Sequence, residues 1–309
     1  MSSDRPVLGI ALMLGFCIVA PMADALAKLL GANMGVAQLV AIRMGLQVVL
    51  LLPLVWWMRL SLRMPHRVLR LTVIRAVLHM AGIGMMFLSL RYLPLADAIA
   101  IAFVMPFIML VLGYFVLGEE VGHRRIMACC VGFIGTLMVM QPSFAEVGWP
   151  AVLPLGVAVI FSLFMLVTRQ IAKRTDPIAL QVVSGVIASA ILVPVLLLSE
   201  PLAILGLGLA MPSGGEWLLL FIMGALGTGG HLLMTWSLRY APSTTLAPMQ
   251  YLEIPVATLL GWLIFSDFPD GLALAGIAVT ISAGLYIIHR EQSVSRSMRQ
   301  APRQAPPAA

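Results

Sequence analysis

The sequence predicts an all-α membrane protein of ten transmembrane helices, arranged as two inverted five-helix repeats. Three observations predict it. Apolar residues make up 61% of the 309 residues and charged residues only 10%, against an apolar share of roughly 45 to 50% in soluble domains. The apolar residues gather into ten runs near the length that crosses about 30 Å of hydrocarbon. The chain also matches itself weakly when shifted by 148 residues. With so little polar surface to cover a water-facing globule, a soluble enzyme is excluded, and ten spans leave too few residues for a domain outside the bilayer.

The first five runs lie near 7 to 30, 36 to 57, 71 to 90, 93 to 117 and 126 to 141. The next five lie near 150 to 171, 178 to 199, 217 to 238, 241 to 265 and 271 to 288. Glycine, proline or charge interrupts the chain between runs. The repeats are accordingly placed at 7–141 and 150–288, and the Arg, Gln, Ser and Pro residues of 289–309 predict a disordered cytoplasmic tail. One alternative concerns the first run, where Arg5, the apolar stretch from Val7 and Ala25-Leu26-Ala27 also suit a cleaved signal peptide. Cleavage there would leave nine spans.

Orientation follows from basic residues. With the N-terminus in the cytoplasm, fifteen of the nineteen Lys and Arg residues fall inside, among them Arg59, Arg63, Arg67, Arg70, Arg124, Arg125, Arg169, Lys173 and Arg174. The other side carries Glu146, Glu200, Glu216, Asp267 and Asp270. Both termini are then cytoplasmic. Because the basic residues are scattered over short loops and do not cluster with aromatics, the net charge of +6 points to no nucleic-acid partner. Cys17, Cys129 and Cys130 have no metal-ligand spacing and read as small apolar helix residues.

The 148-residue offset pairs Leu90-Arg91-Tyr92 with Leu238-Arg239-Tyr240, Pro94 with Pro242, Gly82 with Gly230, Gly113 with Gly261 and Glu119 with Asp267. Five spans per half is an odd number, so the second half enters the membrane upside down. Most connections reverse their charge accordingly, as when the Arg-rich 58–70 corresponds to 200–216, which holds no Lys or Arg. Arg91 and Arg239 do not obey, and with Tyr92 and Tyr240 they read as interfacial anchors of helix ends.

Two five-helix halves, Lys28 near the end of the first span, Arg43 in the second, and Gly118-Glu119-Glu120 ending the fourth are together a specific pattern. Over about residues 7 to 290 the chain resembles the drug/metabolite transporter superfamily, specifically its ten-helix EamA-type carriers. The stretch ADALAKLLGANMGVAQLVAIR is similar to a subgroup that includes proposed riboflavin importers. The resemblance implies a carrier of a small organic metabolite in the inner membrane, often proton-coupled. The second half departs from the pattern at Asp267, so no role carries over to that position.

Ionisable groups inside spans cost roughly 2.5 to 3.5 kcal/mol each on insertion scales, so each needs a partner, a wet cavity or an interface. Asp24 and Arg43 lie about 10 Å below the outer edge, with Lys28 one turn from Asp24. They form either a salt bridge locking two spans or a substrate-facing cluster. Arg75 and His79 share a face of the third span, Arg75 near enough to the inner edge to snorkel. His79 is deeper, either exchanging protons or hydrogen-bonding another helix. Asp97 opens the fourth span from the other side.

Glu253 sits about 18 Å into the ninth span, near the midplane, where no snorkelling reaches water. Pro248 and Pro255 flank it, with Gln250 and Tyr251, and irregular backbone at that depth belongs beside a cavity or inside protein. Binding or proton coupling is one reading, and a protonated Glu bonded to a neighbouring helix is the other. Gly224, Gly227, Gly229 and Gly230, leading to His231, suit either close packing or a hinge.

The pattern as a whole predicts a secondary carrier with a central site, working on a small-molecule substrate by alternating access of its two halves. There is no nucleotide-binding G-x-x-x-x-G-K-[ST] loop and no cofactor motif. The substrate is expected to be riboflavin-like or amino-acid-like, and protons are the expected coupling ion. Phe87, Phe103, Phe107, Trp236 and Tyr251 are the aromatics available to stack on a planar ring. The rival is an intramembrane enzyme acting on lipid or peptide substrates, for which H-E-x-x-H and G-x-S-x-G are both missing. Its nearest cluster, Glu119, Glu120 and His123, reads as a helix end.

Overall fold

The computed structural model describes residues 5–119, 121–140, 148–199, 209–266 and 271–300, and every regular element among them is a helix. Glu120, Glu146, Glu200, Asp267 and Asp270 lie outside the described residues. The first half comprises α1 (Pro6–Leu30), α2 (Val36–Trp57), α3 (His66–Ser89), a fourth span made of α4 (Leu95–Ala102) and α5 (Met105–Leu117), and α6 (His123–Met140). A 3-10 turn at Trp149–Ala151 opens the second half, followed by α7 (Val152–Ala172), α8 (Pro177–Ser199) and α9 (Gly214–Tyr240). The ninth span is α10 (Ser243–Leu246), a 3-10 stretch (Ala247–Leu252) and α11 (Glu253–Phe265), and α12 (Gly271–Gln300) is the tenth.

Seven of these segments, with Leu95–Leu117 as one, are long and apolar enough to cross a membrane, and shorter apolar helices cover Ile126–Gly135 and Leu274–Tyr286. The broken ninth span completes ten. Trp56, Trp57, Trp149, Trp217 and Trp262 are all exposed near helix ends, as interfacial belts require.

Proline sets most of the departures from the expected spans. Pro65 caps α3, which starts at His66 and not near 71, so its exposed first turn carries Arg67 and Arg70. The fourth and ninth spans, expected as single helices, are both interrupted. Pro106 follows the first break and Pro248 lies in the second, each removing a backbone donor. The last helix continues to Gln300, into the stretch expected to be disordered, because no proline intervenes before Pro302.

The repeat is visible in these irregularities. Pro94 and Pro242 cap α4 and α10 with nearly identical extended backbone, ψ 150° and 144°. Gly118 and Ser266, again 148 apart, end α5 and α11 in the left-handed region, at φ 64° and 61°. Each cap N–H reaches back to a repeat-related carbonyl, that of Gly113 or Gly261.

The halves interlock. The most extensive packing is α1 on α9, α6 on α12, α3 on α7 and α2 on α8, all between opposite halves. Exchanging the halves turns the α1–α9 pair into the α7–α3 pair and maps the other two onto themselves, as a two-fold axis within the bundle would. Equivalent glycines permit the exchanged contacts: a Cβ on Gly82 would lie 2.8 Å from the Phe161 ring, and one on Gly230 would touch Val19 and Phe16.

Candidate functional site

Between the halves lies a small cavity of about 70 Å³. Phe16, Ala20 and Asp24 come from α1, Arg43 from α2, Ile83 and Met86 from α3, and Phe103 and Met105 from the break in the fourth span. The other half supplies Phe161 and Met165 from α7, His231 and Met234 from α9, and Gln250 and Glu253 from the ninth span.

The broken ninth span explains how Glu253 is presented. It is the first residue of α11, immediately after the 3-10 stretch, and α11 runs about 18 Å from it to its far end. Its side chain is 8% exposed and accepts no hydrogen bond among the described residues. Asp24, half-buried on α1, also has no such partner and lines the same cavity.

Arg43 is buried at 5% exposure, yet no carboxylate comes within ion-pair distance of it among the described residues. Its guanidinium lies over the Phe87 ring at 5.6 Å and fits into the hollow left by Gly227, where a Cβ would stand 2.5 Å from Nε. Of the two readings of Asp24 and Arg43, the salt bridge is not formed among the described residues, and both side chains line the cavity. The ring face and the glycine hollow hold the guanidinium back.

Arg75 corrects a second expectation. It is fully buried and does not snorkel. Starting α3 at His66 puts Arg75 about 14 Å into the helix, and three helices of the other half surround it. Nε donates to Thr168 Oγ1 at 2.9 Å, Nη1 to Ser184 Oγ at 2.8 Å, Nη2 to Thr235 Oγ1 at 3.3 Å, and both terminal nitrogens approach Gln181 Oε1 at 3.4 to 3.5 Å. The Phe164 ring lies 4.6 Å from the guanidinium carbon. One turn away, His79 stacks on Phe164 at 4.8 Å and meets His231 edge-on at 4.2 Å. Both ring nitrogens of His79 lack a hydrogen-bond partner among the described residues, so of its two readings the helix-to-helix bond is not made there.

Polar contacts between elements close the bundle at both ends of the cavity. At the end holding the α1–α2 turn, Lys28 donates to the Leu93 carbonyl at 2.7 Å, Arg91 to that of Met34, and Asn33 to Glu216 at 2.8 Å. At the opposite end, Glu119 pairs with Arg169 at 3.2 Å, accepts from Ser243 Oγ at 2.7 Å and from the Thr244 N–H at 3.0 Å, and so caps α10 from across the repeat. Its place at a helix end was legible; its role as another helix's cap was not.

Of the remaining candidates, Gln250 lines the cavity, its Nε2 3.1 Å from Met165 Sδ and its Oε1 unpartnered among the described residues. Tyr251 points away, fully buried against Phe103 and Gly132. Trp236 packs in a separate cluster with Leu51, Val55 and Ile178, and Phe107 packs on Phe133. Asp97 is half-buried in the first turn of α4, outside the cavity lining. Phe16, Phe161 and the cavity methionines were not singled out from sequence. His231 had a signal: Gly227, His231 and Thr235 recur every four residues, which puts the Arg43 seat, the cavity histidine and the Arg75 acceptor on one face of α9.

The model of the EamA-like transporter family matches residues 7–141 and 148–289. A riboflavin transporter of Rhizobium johnstonii is 29% identical over 225 residues, covering 72% of this chain and 71% of that one. An S-adenosylmethionine uptake transporter of Rickettsia prowazekii is 24% identical over 294 residues, covering 94% and 96%. A solved crystal structure superimposes with a TM-score of 0.67 at 20% identity, covering 90% of this chain and 94% of that one, and so shares the fold.

Proposed function

The chain belongs to the EamA-like transporter family, and from that premise we propose that it is a secondary carrier of a small organic metabolite, coupled to protons and working by alternating access. The observation that carries this reading is the pair of carboxyls, Asp24 and Glu253, without hydrogen-bond partners among the described residues in a cavity between inverted halves. Uncompensated groups at this depth are costly, and a cavity that receives a substrate or a proton gives them a use. Glu253 is the proposed proton carrier, since it lines the cavity from the first turn of the helix that follows the break.

In this reading the contacts at the two ends form in alternation. The Glu119–Arg169 group closes one mouth, and the Lys28, Arg91 and Asn33 contacts close the other. We place the chain in the plasma membrane with both termini in the cytoplasm, which the Lys and Arg distribution supports. The Glu119 end is then cytoplasmic.

Reconstitution into liposomes with an internal pH dye tests the reading, with a panel of flavins, amino acids and adenosyl compounds added outside. Substrate-dependent proton flux in the wild type, lost in Glu253→Gln, is the expected result. Equal flux in the variant removes Glu253 from the coupling, and substrate uptake without any proton flux removes coupling altogether.

A further inference from the structure

We propose that the turn joining α2 to α3 binds the phosphate head of an anionic phospholipid, with Arg59 as its principal cation and Trp56 and Trp57 beside it; only the assignment of that leaflet to the cytoplasm rests on the orientation proposed above. Where α2 ends, the backbone forms a Schellman turn. The Leu60 N–H donates to the Val55 carbonyl at 2.9 Å and the Arg59 N–H to that of Trp56 at 3.2 Å. Such a turn puts the residue after the helix cap in the left-handed region, which favours glycine. Here that residue is Arg59, at φ 52°, one of two non-glycine residues with positive φ among those described. Arginine is conformationally disfavoured there, so what the position gains comes from its side chain.

The rest of the turn holds its arginines outward. Leu60 packs with Leu51, Val55 and Ile178, and Met64 with Val68, Ile171 and Leu180, so Leu60, Met64 and Val68, every fourth residue, are inward anchors. Arg59, Arg63 and Arg67 each precede an anchor by one residue, and with Arg70 all four are exposed. Residues 58–70 contain no Asp or Glu, and none of the four arginines is in an ion pair among the described residues. Asp176, at the start of α8 beside the anchor Ile178, accepts from the Ile178 N–H at 2.8 Å and so caps its own helix. The positive charge is therefore fixed and unneutralised, and a guanidinium offers the forked donors that match phosphate oxygens.

The surroundings select a lipid over a dissolved anion. Trp56 and Trp57 are 84% and 78% exposed, and Met58, Leu62 and Leu69 are exposed among the arginines. Leu52, Trp56, Trp57 and Leu62 line a surface hollow together with Arg59. Indoles at a helix end belong at the level of the headgroups, and arginines interleaved with exposed Trp, Leu and Met make a surface that meets charged heads and acyl chains at once. A dissolved phosphate has no use for that apolar wall, and a water-soluble acidic protein would have to reach it through the headgroups. Basic clusters immediately beside a membrane helix attract anionic lipid, and here a rigid turn gives the attraction a fixed place.

The test is native mass spectrometry of the purified full chain, titrated in detergent with dioleoylphosphatidylglycerol or with dioleoylphosphatidylcholine, whose choline cancels the phosphate charge. The first phosphatidylglycerol is expected to bind about tenfold or more tightly than the first phosphatidylcholine. Arg59→Gln is expected to reduce that preference about fivefold, whereas Arg124→Gln, at an exposed arginine of another loop, leaves it unchanged. Arg59→Gly separates loss of the site from loss of the fold. It should weaken the lipid preference as Arg59→Gln does while raising the melting temperature of the lipid-free protein by about 1 to 3 °C, because glycine suits the turn. Equal affinity for the two lipids, an unchanged preference in Arg59→Gln, or an equal loss in Arg124→Gln overturns the proposal. Displacement of the lipid by excess inorganic phosphate or by poly-L-glutamate also overturns it, in favour of a dissolved anion or an acidic protein.

Discussion

Phe103 and Tyr251 occupy equivalent positions in the two repeats and touch each other, with ring centroids 5.4 Å apart and the Tyr251 hydroxyl 3.4 Å from the Phe103 carbonyl. Each stands in the helix break of its own span, so the bundle's two irregular segments are stitched together where they meet.

The ring, more than the hydroxyl, should carry this junction. Tyr251→Ala is expected to destabilise the protein by about 3 to 5 kcal/mol, as loss of a fully buried aromatic does, and Tyr251→Phe by under about 1 kcal/mol, given the long hydrogen bond. Gly132→Ala should also destabilise, by about 1 to 3 kcal/mol, since its Cβ would lie 2.5 Å from Tyr251 Cδ2. Thermal unfolding of the purified variants in detergent checks all three, and equal losses for Phe and Ala would shift the weight to the hydroxyl.

Gly227 and Gly229 offer a matched pair two residues apart. A methyl group at 227 collides with the Arg43 guanidinium, and one at 229 meets open space. Gly227→Ala should therefore weaken substrate uptake about tenfold or more while costing only about 1 to 3 kcal/mol of stability. Gly229→Ala should leave uptake unchanged and gain up to about 1 kcal/mol from helix propensity. Uptake measured side by side in liposomes separates the two, and equal behaviour would mean that the position of Arg43 is immaterial.

Arg75→Lys should not be conservative. A lysine ammonium is a point charge on a flexible stem, whereas the guanidinium reaches Thr168, Ser184, Thr235 and Gln181 at once. Each acceptor left without its donor costs about 1 to 3 kcal/mol, so a lowered melting temperature is expected. A melting temperature equal to wild type would restore the snorkelling picture, in which Lys and Arg serve alike.

Glu119 and Arg169 should be energetically coupled. Glu119→Ala removes the acceptor for Ser243 and Thr244 as well as the partner of Arg169, so it should cost more than Arg169→Gln. A double-mutant cycle is expected to give a coupling of about 0.5 to 3 kcal/mol. A cysteine introduced at Thr244 should react faster with an impermeant maleimide in the Glu119→Ala background. An unchanged reaction rate would show that the α10 end does not rely on this carboxylate.

What the chain's text revealed depended on the range of the interaction. Spans and repeats were legible because apolar length and Gly or Pro spacing are local, and the breaks at Pro106 and Pro248 have a local cause even though a single helix was expected in each place. Direction around a helix was not legible: adjacent residues Gln250 and Tyr251 face the cavity and the core respectively, and only packing against α6 and the fourth span decides between them. Arg75 was misjudged for the same reason, since its acceptors lie 93 to 160 residues away in sequence. Asp24 and Arg43 both line the cavity, and the hollow that holds Arg43 depends on Gly227 from the opposite repeat.

The interlocked pairs make the unit of inheritance different from the unit of mechanics. The duplicated sequence is one set of five helices, whereas the firmest joints unite α1 with α9 and α3 with α7, members of opposite sets. A push on one copy is therefore borne by a helix of the other, and stiffness is distributed by the two-fold axis.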